Sequence, residues 1–284
     1  MNAIEVSGLA KKYGRFEALR GVDVSVGRGE VFGLVGPNGA GKTTLIKGLV
    51  GALRPSGGEV RVTGLNPLEH RAELRRRIGY MPQGPALYDD LSARGNIAFF
   101  GAAHRTEGLR KKVDEVLAFT ELTERADNPV HTFSGGMKRR VSLACALVHD
   151  PEVIFLDEPT AAVDPQLRSR FWKTFRELAE GGTTLFISTH LMDEAVLCDR
   201  IAILRQGRVI ATDTPANIIE QGKTRLVVER DGTEEKETIG GHPEDLAAAL
   251  RPYGLRQDVT AVDVETDTLE AVVLSLIEKE EVGR

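Results

Sequence analysis

Residues 36–44 have the residue types and the spacing of a phosphate-binding loop. The segment reads Gly36-Pro37-Asn38-Gly39-Ala40-Gly41-Lys42-Thr43-Thr44. Its glycines allow a tight turn whose backbone N–H groups point at an anion, and Lys42 would reach the β- and γ-phosphates of ATP. The helix expected from about Lys42 to Val50 adds the positive end of its dipole, and the Thr43 hydroxyl would ligate Mg²⁺. The segment therefore predicts a site for ATP and Mg²⁺.

Two adjacent carboxylates follow the apolar run Val153–Leu156. Such a run is typical of a buried strand, whose carboxyl end would open beside the phosphate loop in a mostly parallel sheet. Asp157 is then placed to hold Mg²⁺, and Glu158 is placed to polarise the attacking water as a general base. The alternative is a strand that ends in solvated acids, and the nearby phosphate loop favours the catalytic interpretation.

A second candidate anion site begins at Ser134. Residues 133–140 read Phe-Ser-Gly-Gly-Met-Lys-Arg-Arg and open a segment with helical spacing of apolar residues. Ser134 is a natural helix cap, and Gly135 and Gly136 leave the helix N-terminus bare for an anion. The alternative is a simple cap followed by a solvated basic turn.

At this point the chain resembles the ATP-binding cassette family, whose signature is Ser-Gly-Gly before a helix upstream of paired carboxylates. The resemblance covers about residues 1–220. It implies that Tyr13 stacks on adenine, that Gln83 contacts Mg²⁺ and water, and that His190 contacts the γ-phosphate. Residues 161–164 match the loop that crosses between subunits. Standing alone, Tyr13 would be a surface or core tyrosine, Gln83 a polar loop residue and His190 a structural histidine.

The same resemblance implies a homodimer that works with a separate membrane permease. In the family, the signature of one subunit completes the nucleotide site of the other, so ATP would lie between Lys42 of one copy and Ser134 of its partner. Hydrolysis at Glu158 would then open the dimer. Residues 137–140 and 268–274 resemble the branch that serves drug- and polysaccharide-type exporters. We expect an ATPase that drives export, with the transported substrate left open.

Four positions depart from the common family pattern, namely Phe133, Met137, Ala161 and Ala162. The family often has Leu, Gln and a Ser or Gly there. Because Ser134 and the two glycines after it are present, the departures bear on turnover rate and fine nucleotide contacts rather than on phosphate recognition.

Apolar residues near Gln83 are candidates to line a groove that meets the permease. They are Pro85-Ala86-Leu87-Tyr88, with Phe99 and Phe100. For the two phenylalanines, the core of a helical subdomain is an equally good interpretation.

Composition argues against several other functions. The net charge of −5 argues against a nucleic-acid groove, which would require a basic footprint. Cys145 and Cys198 lie in apolar-periodic segments and are expected to be buried free thiols in a reducing compartment. No apolar run is long enough for a bilayer span, and residues 1–6 lack signal-peptide features. We expect a cytoplasmic protein, held on the inner face of the cell membrane by its permease.

The periodicity predicts an α/β fold, and the phosphate loop and the family resemblance imply that it is of the P-loop NTPase type. Strands are expected at Ile4–Leu9, Leu19–Val26, Val31–Val35, Glu59–Thr63, Val153–Leu156, Thr184–Ser188 and Ile201–Leu204. They indicate a mostly parallel sheet with helices on both faces and an N-terminal antiparallel β subdomain. Helical spacing at Lys111–Thr120 and Lys138–His149 predicts an inserted helical subdomain at about 84–150.

Residues 221–284 are expected to form a small C-terminal α/β accessory domain, after an ATPase domain at 1–220. The predicted elements are a hairpin of Leu226–Arg230 and Glu237–Ile239 about Asp231-Gly232, a helix at Pro243–Leu250, a strand at Ala261–Glu265 and a helix at Leu269–Glu278. This domain could steady the dimer, regulate it or bind a partner.

Two other functions share some of these motifs. A soluble cassette ATPase of translation or DNA repair usually carries two cassettes or a long coiled coil, and this chain has neither. A small-molecule kinase or a GTPase is disfavoured, because no Asn-Lys-x-Asp guanine motif is present and the Ser134 signature has no place in a kinase.

Overall fold

The computed structural model describes residues 2–161, 163–230, 232–254 and 258–282. Within them the strands are β1 (Asn2–Tyr13), β2 (Phe16–Gly27), β3 (Val31–Val35), β4 (Gly57–Val62), β5 (Ile78–Met81), β6 (Val153–Asp157), β7 (Thr184–Thr189), β8 (Arg200–Arg205), β9 (Arg208–Asp213), β10 (Lys223–Arg230), β11 (Thr233–Gly240) and β12 (Val259–Thr266). The helices are α1 (Lys42–Leu49), α2 (Arg71–Arg77), α3 (Ala93–Ala103), α4 (Leu109–Phe119), α5 (Gly135–Leu147), α6 (Pro165–Glu180), α7 (Met192–Ala195), α8 (Pro215–Ile219), α9 (Pro243–Leu250) and α10 (Leu269–Val282).

A six-stranded sheet in the order β5-β6-β7-β3-β8-β9 forms the centre. Strands β5 to β8 in this order run parallel, and β9 pairs antiparallel with β8. Alternate residues of the buried strands face two different cores, so that Val31 and Ile154 lie in one and Phe32 and Phe155 in the other. The predicted mostly parallel core, covered on both faces, is confirmed. Strand β9 was not predicted, because its residues are only partly buried and lack a clear alternation.

The register of the central strands brings three chain segments to one edge of the sheet. Val35 at the end of β3 is in register with Thr189 of β7, and Asp157 at the end of β6 is in register with Ser188. Because these strands are parallel, the segments that follow β3, β6 and β7 leave the sheet side by side. We call this side of the sheet the carboxyl edge.

Strands β1, β2 and β4 form a separate antiparallel sheet in the order β2-β1-β4. Its inward residues, among them Ile4, Val24 and Val62, pack with Phe32 and with Leu45 of α1. The predicted antiparallel subdomain is confirmed, with longer strands than the sequence indicated. Helix α1 is held between this sheet and the central one.

Helices replace strands between β5 and β6, as predicted. The segments expected to be helical at Lys111–Thr120 and Lys138–His149 correspond to α4 and α5. Helix α5 begins at Gly135, and Ser134 caps it as predicted, because its Oγ accepts a hydrogen bond from the Met137 N–H (3.3 Å).

The C-terminal segment forms a three-stranded antiparallel sheet in the order β11-β10-β12, with α9 against β10 and β11. The predicted hairpin, helix, strand and final helix are confirmed, although Asp231 of the predicted turn lies outside the described residues. Helix α10 returns to the main body, where Leu269, Val272 and Val273 join a core of the central sheet. A domain boundary near residue 220 therefore stays a prediction.

Two expectations from composition can be compared with the structure. Cys145 and Cys198 are buried free thiols, as predicted, and burial raises the pKa of Cys198 to about 12. In the described parts of the chain, the helices are too short or too polar to cross a bilayer.

Candidate functional site

The phosphate loop joins β3 to α1 at the carboxyl edge, and two of its glycines are required by space. A Cβ at Gly36 would lie 2.3 Å from the carbonyl oxygen of Leu204. Gly41 has a φ of 113°, and a Cβ there would lie 2.8 Å from the carbonyl oxygen of Ala18. Gly39 has a φ of 79° but faces open space. The loop is therefore wedged against β2 and β8, with its tip exposed.

Lys42 is buried within the loop that it follows. Its Nζ donates to the carbonyl oxygens of Gly36 (2.7 Å) and Pro37 (3.2 Å) and lies 3.2 Å from Glu158 Oε1. A buried ammonium requires such partners, because desolvation of an unpaired charge is costly. The Lys42 ammonium and the Glu158 carboxylate therefore lie side by side at the phosphate loop.

Besides Lys42, two further polar groups approach the Glu158 carboxylate. Oε2 accepts from Gln83 Nε2 (3.0 Å), and His190 Nδ1 lies 3.5 Å from the same oxygen. With Lys42 these residues form a compact set, which we call the Glu158 cluster. The residue itself is only 7% exposed. A largely desolvated carboxylate among hydrogen-bond donors can accept a proton from a positioned water.

Asp157 is 1% exposed, and only one of its carboxylate oxygens is hydrogen-bonded within the described residues. Oδ1 accepts from Ser188 Oγ (2.6 Å), whereas Oδ2 is buried without a hydrogen-bond partner. Burial raises the pKa of Tyr80 to about 12, and the negative charge of Asp157 adds to that rise. A buried carboxylate oxygen without a hydrogen-bond partner, at the end of β6 on the carboxyl edge, is a ligand type that fits Mg²⁺.

Glu194 of α7 is a buried acid that sequence reasoning missed. It is 1% exposed, and its carboxylate accepts from Thr160 Oγ1 (2.5 Å) and Thr189 Oγ1 (2.7 Å). These bonds tie the segment after β6 to the end of β7, just before His190. No motif marks Glu194, because its role depends on which strands are neighbours in the sheet.

The other predicted site residues lie apart from the Glu158 cluster. Ser134 is exposed and caps α5, and in the described residues neither it nor the two glycines after it bond to the cluster. Tyr13 is 49% exposed, with Lys11 Nζ 5.0 Å from its ring centroid. In the segment expected to cross between subunits, Asp164 caps α6 by accepting from the Leu167 N–H (2.9 Å), and Ala162 lies outside the described residues.

A cavity of about 290 Å³ lies between the helical segment and the central sheet. Of the residues proposed to line a groove, Ala86, Leu87 and Phe100 do so. Pro85, Tyr88 and Phe99 are not among the residues that line this cavity, and their place in a groove that meets the permease stays a prediction. Tyr88 and Phe99 instead pack edge to face, with ring centroids 4.8 Å apart, and remain about half exposed.

Two histidines that the sequence did not single out also line this cavity. The rings of His104 and His149 stack with centroids 3.8 Å apart, and His149 Nε2 lies 2.9 Å from the carbonyl oxygen of Ile78. Burial lowers the pKa of His149 to about 4, and the neighbouring His104 contributes to that shift.

Comparison with known proteins gives the same family by three routes. The sequence profile of a family described as ABC transporter matches residues 19–161. The Nod factor export ATP-binding protein I of Rhizobium sp. (strain N33) is 38% identical over 91% of this chain and 83% of its own length. The linearmycin resistance ATP-binding protein LnrL of Bacillus subtilis (strain 168) is 36% identical over 96% of this chain and 89% of its own length. The daunorubicin resistance ATP-binding protein DrrA3 of Streptomyces coeruleorubidus is 40% identical over 93% and 81%.

Solved structures agree. An ATP-binding subunit of an ABC transporter matches with a TM-score of 0.75 and 26% identity, over 97% of this chain and 99% of that one. A dimeric post-hydrolysis state of an ATP-binding cassette, bound to ADP and Pi, matches with a TM-score of 0.68 and 28% identity, over 74% and 98%.

Proposed function

Because the chain belongs to the ABC transporter family, we propose that two copies of this ATP-binding subunit close head to tail on ATP. The protein is an ATPase whose activity serves transport, and its relatives carry names of export and drug resistance. The finer proposal is that each ATP is gripped by Lys42 of one copy and Ser134 of the other. Hydrolysis would then release the two copies and drive a separate membrane permease.

In this proposal the phosphate loop and α1 bind the triphosphate. Backbone N–H groups of residues 36–44 surround the phosphates, as is usual at a glycine-rich loop that opens a helix. Lys42 reaches the β- and γ-phosphates, with the Thr43 hydroxyl and Asp157 as ligands of Mg²⁺ and Gln83 beside them. When bound, Mg²⁺ neutralises charge that develops on the phosphates. Tyr13 stacks on the adenine.

Glu158 is the proposed general base. Its Oε1 lies 3.2 Å from Lys42 Nζ, so a γ-phosphate held by Lys42 would lie beside the carboxylate. Gln83 and His190 approach the same carboxylate, which suits them to orient the attacking water and to contact the γ-phosphate.

A single observation carries the head-to-tail arrangement. The Ser134 start of α5 is an exposed, capped helix N-terminus that does not bond to the Glu158 cluster of its own chain. Such a helix start attracts phosphate, since its N–H groups and dipole favour negative charge. A similar cassette bound to ADP and Pi is dimeric, which supports the association of two copies.

The cavity lined by Ala86, Leu87 and Phe100 is the proposed docking site for the permease. Pro82, which precedes Gln83 in the chain, also lines this cavity, so a change at the nucleotide would pass through this segment to the membrane protein. Held in this way, the chain would lie on the cytoplasmic face of the membrane. We also propose that 1–220 act as the ATPase domain and 221–284 as an accessory domain.

Cross-linking between two chains that each carry one added, exposed cysteine tests the head-to-tail proposal. One chain carries Asn38→Cys at the exposed loop tip and the other carries Ser134→Cys, both with Glu158→Gln to prevent hydrolysis. The native cysteines are buried and should not react. With ATP and a short thiol cross-linker, we expect a covalent dimer of the two chains, and none without ATP.

The matched control replaces Ser134→Cys by Lys173→Cys, a position on α6 whose side chain is 80% exposed. It should give no ATP-dependent dimer. If the Asn38 and Ser134 chains bind ATP but never cross-link, the head-to-tail dimer is wrong, whereas the family and its ATPase activity are unaffected.

A further inference from the structure

Arg139 on α5 reaches across to the backbone beside Glu158. Its Nη1 donates to the carbonyl oxygens of Glu158 (3.0 Å) and Pro159 (3.3 Å). Burial lowers the pKa of the Arg139 guanidinium, and the negative charge of Glu158 opposes that shift. Charge-assisted bonds from a partly desolvated guanidinium are among the stronger hydrogen bonds in proteins. One side chain therefore fastens α5 to the turn that follows β6.

The backbone of Glu158 is held in an unusual conformation. Its φ is 51°, in the left-handed region that side chains other than glycine rarely adopt. Its N–H donates to Ser188 Oγ (3.0 Å), and its carbonyl accepts from Arg139 and from the Ala161 N–H (3.3 Å). Strained conformations of this kind persist only where surrounding contacts fix them. The bonds on both sides of Glu158 thus determine where its carboxylate points.

We propose that Arg139 is a positioning residue for Glu158, and that through it the Ser134 end of α5 and the general base move together. The inference rests on the proposed roles of Glu158 and Ser134. In the head-to-tail dimer, Ser134 would contact the nucleotide bound by the partner copy, while Arg139 holds the base that acts on the nucleotide of its own copy. Binding at one site would then align the base at the other, which predicts cooperative hydrolysis.

The test compares Arg139→Met, Arg139→Lys and the neighbouring Arg140→Met in the full chain. Arg140 is a matched control, because its guanidinium donates to the carbonyls of Thr120 and Glu121 instead. We expect Arg139→Met to lower kcat by on the order of 10- to 100-fold, since a small misplacement of a reacting group has effects of this size. Its Kd for ATP should change by less than about twofold, and the Hill coefficient for ATP should fall towards one. Arg139→Lys, which keeps a donor, should recover part of kcat.

Thermal unfolding separates positioning from a general loss of structure. Arg140→Met should keep its kcat and Hill coefficient even where its Tm falls as much as that of Arg139→Met. If Arg139→Met does not fold, Arg139→Gln carries the same expectation, because its shorter side chain cannot span to both carbonyls. A loss of ATP affinity that matches the loss of kcat would overturn the positioning role.

A double variant tells failure of this inference from failure of the proposed base. If Arg139 acts through Glu158, Arg139→Met combined with Glu158→Gln should turn over no more slowly than Glu158→Gln alone. If Glu158→Gln is inactive while Arg139→Met keeps the wild-type kcat, the positioning role of Arg139 is wrong and the proposed base stands. Wild-type turnover by Glu158→Gln would instead reject Glu158 as the base.

Discussion

The Glu158 cluster and the Ser134 start of α5 are two regions proposed to contact the nucleotide, and they differ in how many of their contacts one chain supplies. In the first, Lys42 and Glu158 are almost fully buried, and Gln83 and His190 lie against the same carboxylate. In the second, an exposed serine makes a helix cap and presents bare N–H groups. A closed cluster can position reacting groups by itself, whereas an exposed helix start can only complete a site that is brought to it.

This difference suggests separate roles: the Glu158 cluster would carry out hydrolysis, and the Ser134 start of α5 would close the dimer on ATP. In the proposed dimer, the groups that would act on the γ-phosphate are fixed inside each copy, while the second contact to the nucleotide comes from the other copy. Changes at the Glu158 carboxylate should therefore abolish turnover and leave ATP bound, and changes at the exposed surfaces should weaken binding or closure by smaller amounts.

The largest expected effect follows from Glu158→Gln. The amide keeps the shape and loses the basic oxygen, so phosphate release should fall by on the order of 10²- to 10⁴-fold, as for loss of a general base. ATP should stay bound and favour a dimer in light scattering. Glu177→Gln, an exposed acid of α6, is the control and should behave as wild type. Turnover at the wild-type rate in Glu158→Gln would reject Glu158 as the general base and, with it, the catalytic role of the cluster.

The next effect concerns the packed side of the phosphate loop. A Cβ at Gly36 would lie 2.3 Å from the backbone oxygen of Leu204, which cannot move without shifting β8. Gly36→Ala should lower the free energy of unfolding by about 3 kcal/mol, the size of a severe steric change. Gly39→Ala meets open space at a φ of 79° and should lower it by only about 1 kcal/mol. Urea unfolding followed by circular dichroism measures the free energy of unfolding of both variants. Equal losses in the two variants would contradict a loop that is packed tightly at Gly36 and open at Gly39.

The sequence predicted those parts of the site whose signal is local. The phosphate loop, the strand that ends in Asp157 and the cap at Ser134 each have a pattern within a few residues, and all were found where expected. The buried acid Glu194 escaped, because its partners follow two different strands that are neighbours only in the folded sheet.

Positions that depend on packing between distant segments were also missed or misplaced. The stacked pair His104 and His149 joins α3 to the end of α5, and neither histidine stands out in the sequence. Tyr88 and Phe99 were candidates to line the permease groove; their rings pack on each other edge to face, a contact that the sequence did not predict, and neither lines the cavity. Residue type identified these side chains as apolar and could not give their direction.

A smaller effect is expected from the exposed Tyr13. Tyr13→Ala should weaken ATP binding by about 1–3 kcal/mol, taking base–aromatic stacking as the guide, and should change kcat little at saturating ATP. Because the ring is 49% exposed, its loss should hardly alter stability. Tyr13→Phe keeps the ring and is the control. Titration calorimetry with the Glu158→Gln chain measures the affinity without hydrolysis, and unchanged binding by Tyr13→Ala would reject stacking at this position.

The smallest expected effect concerns His149 in the cavity. It tests whether this histidine is as shielded from solvent as the residues of the Glu158 cluster. Burial lowers the pKa of His149 from 6.5 to about 4, so the unfolded chain binds a proton that the folded chain refuses as the pH falls between these values. Stability should therefore be lost on acidification from about pH 6.5 towards pH 4. We expect a loss of on the order of 1 kcal/mol between pH 7 and pH 5, allowing for partial exposure of the ring.

His149→Gln keeps a donor for the carbonyl of Ile78 but does not titrate, so its urea-unfolding free energy should change less between pH 7 and pH 5 than that of wild type. His70→Gln, at an exposed histidine before α2, should follow wild type. Parallel pH dependence in wild type and His149→Gln would show that the stacked pair is open to protons in the folded protein. In its access to solvent, the cavity would then resemble the exposed Ser134 start of α5 rather than the buried Glu158 cluster.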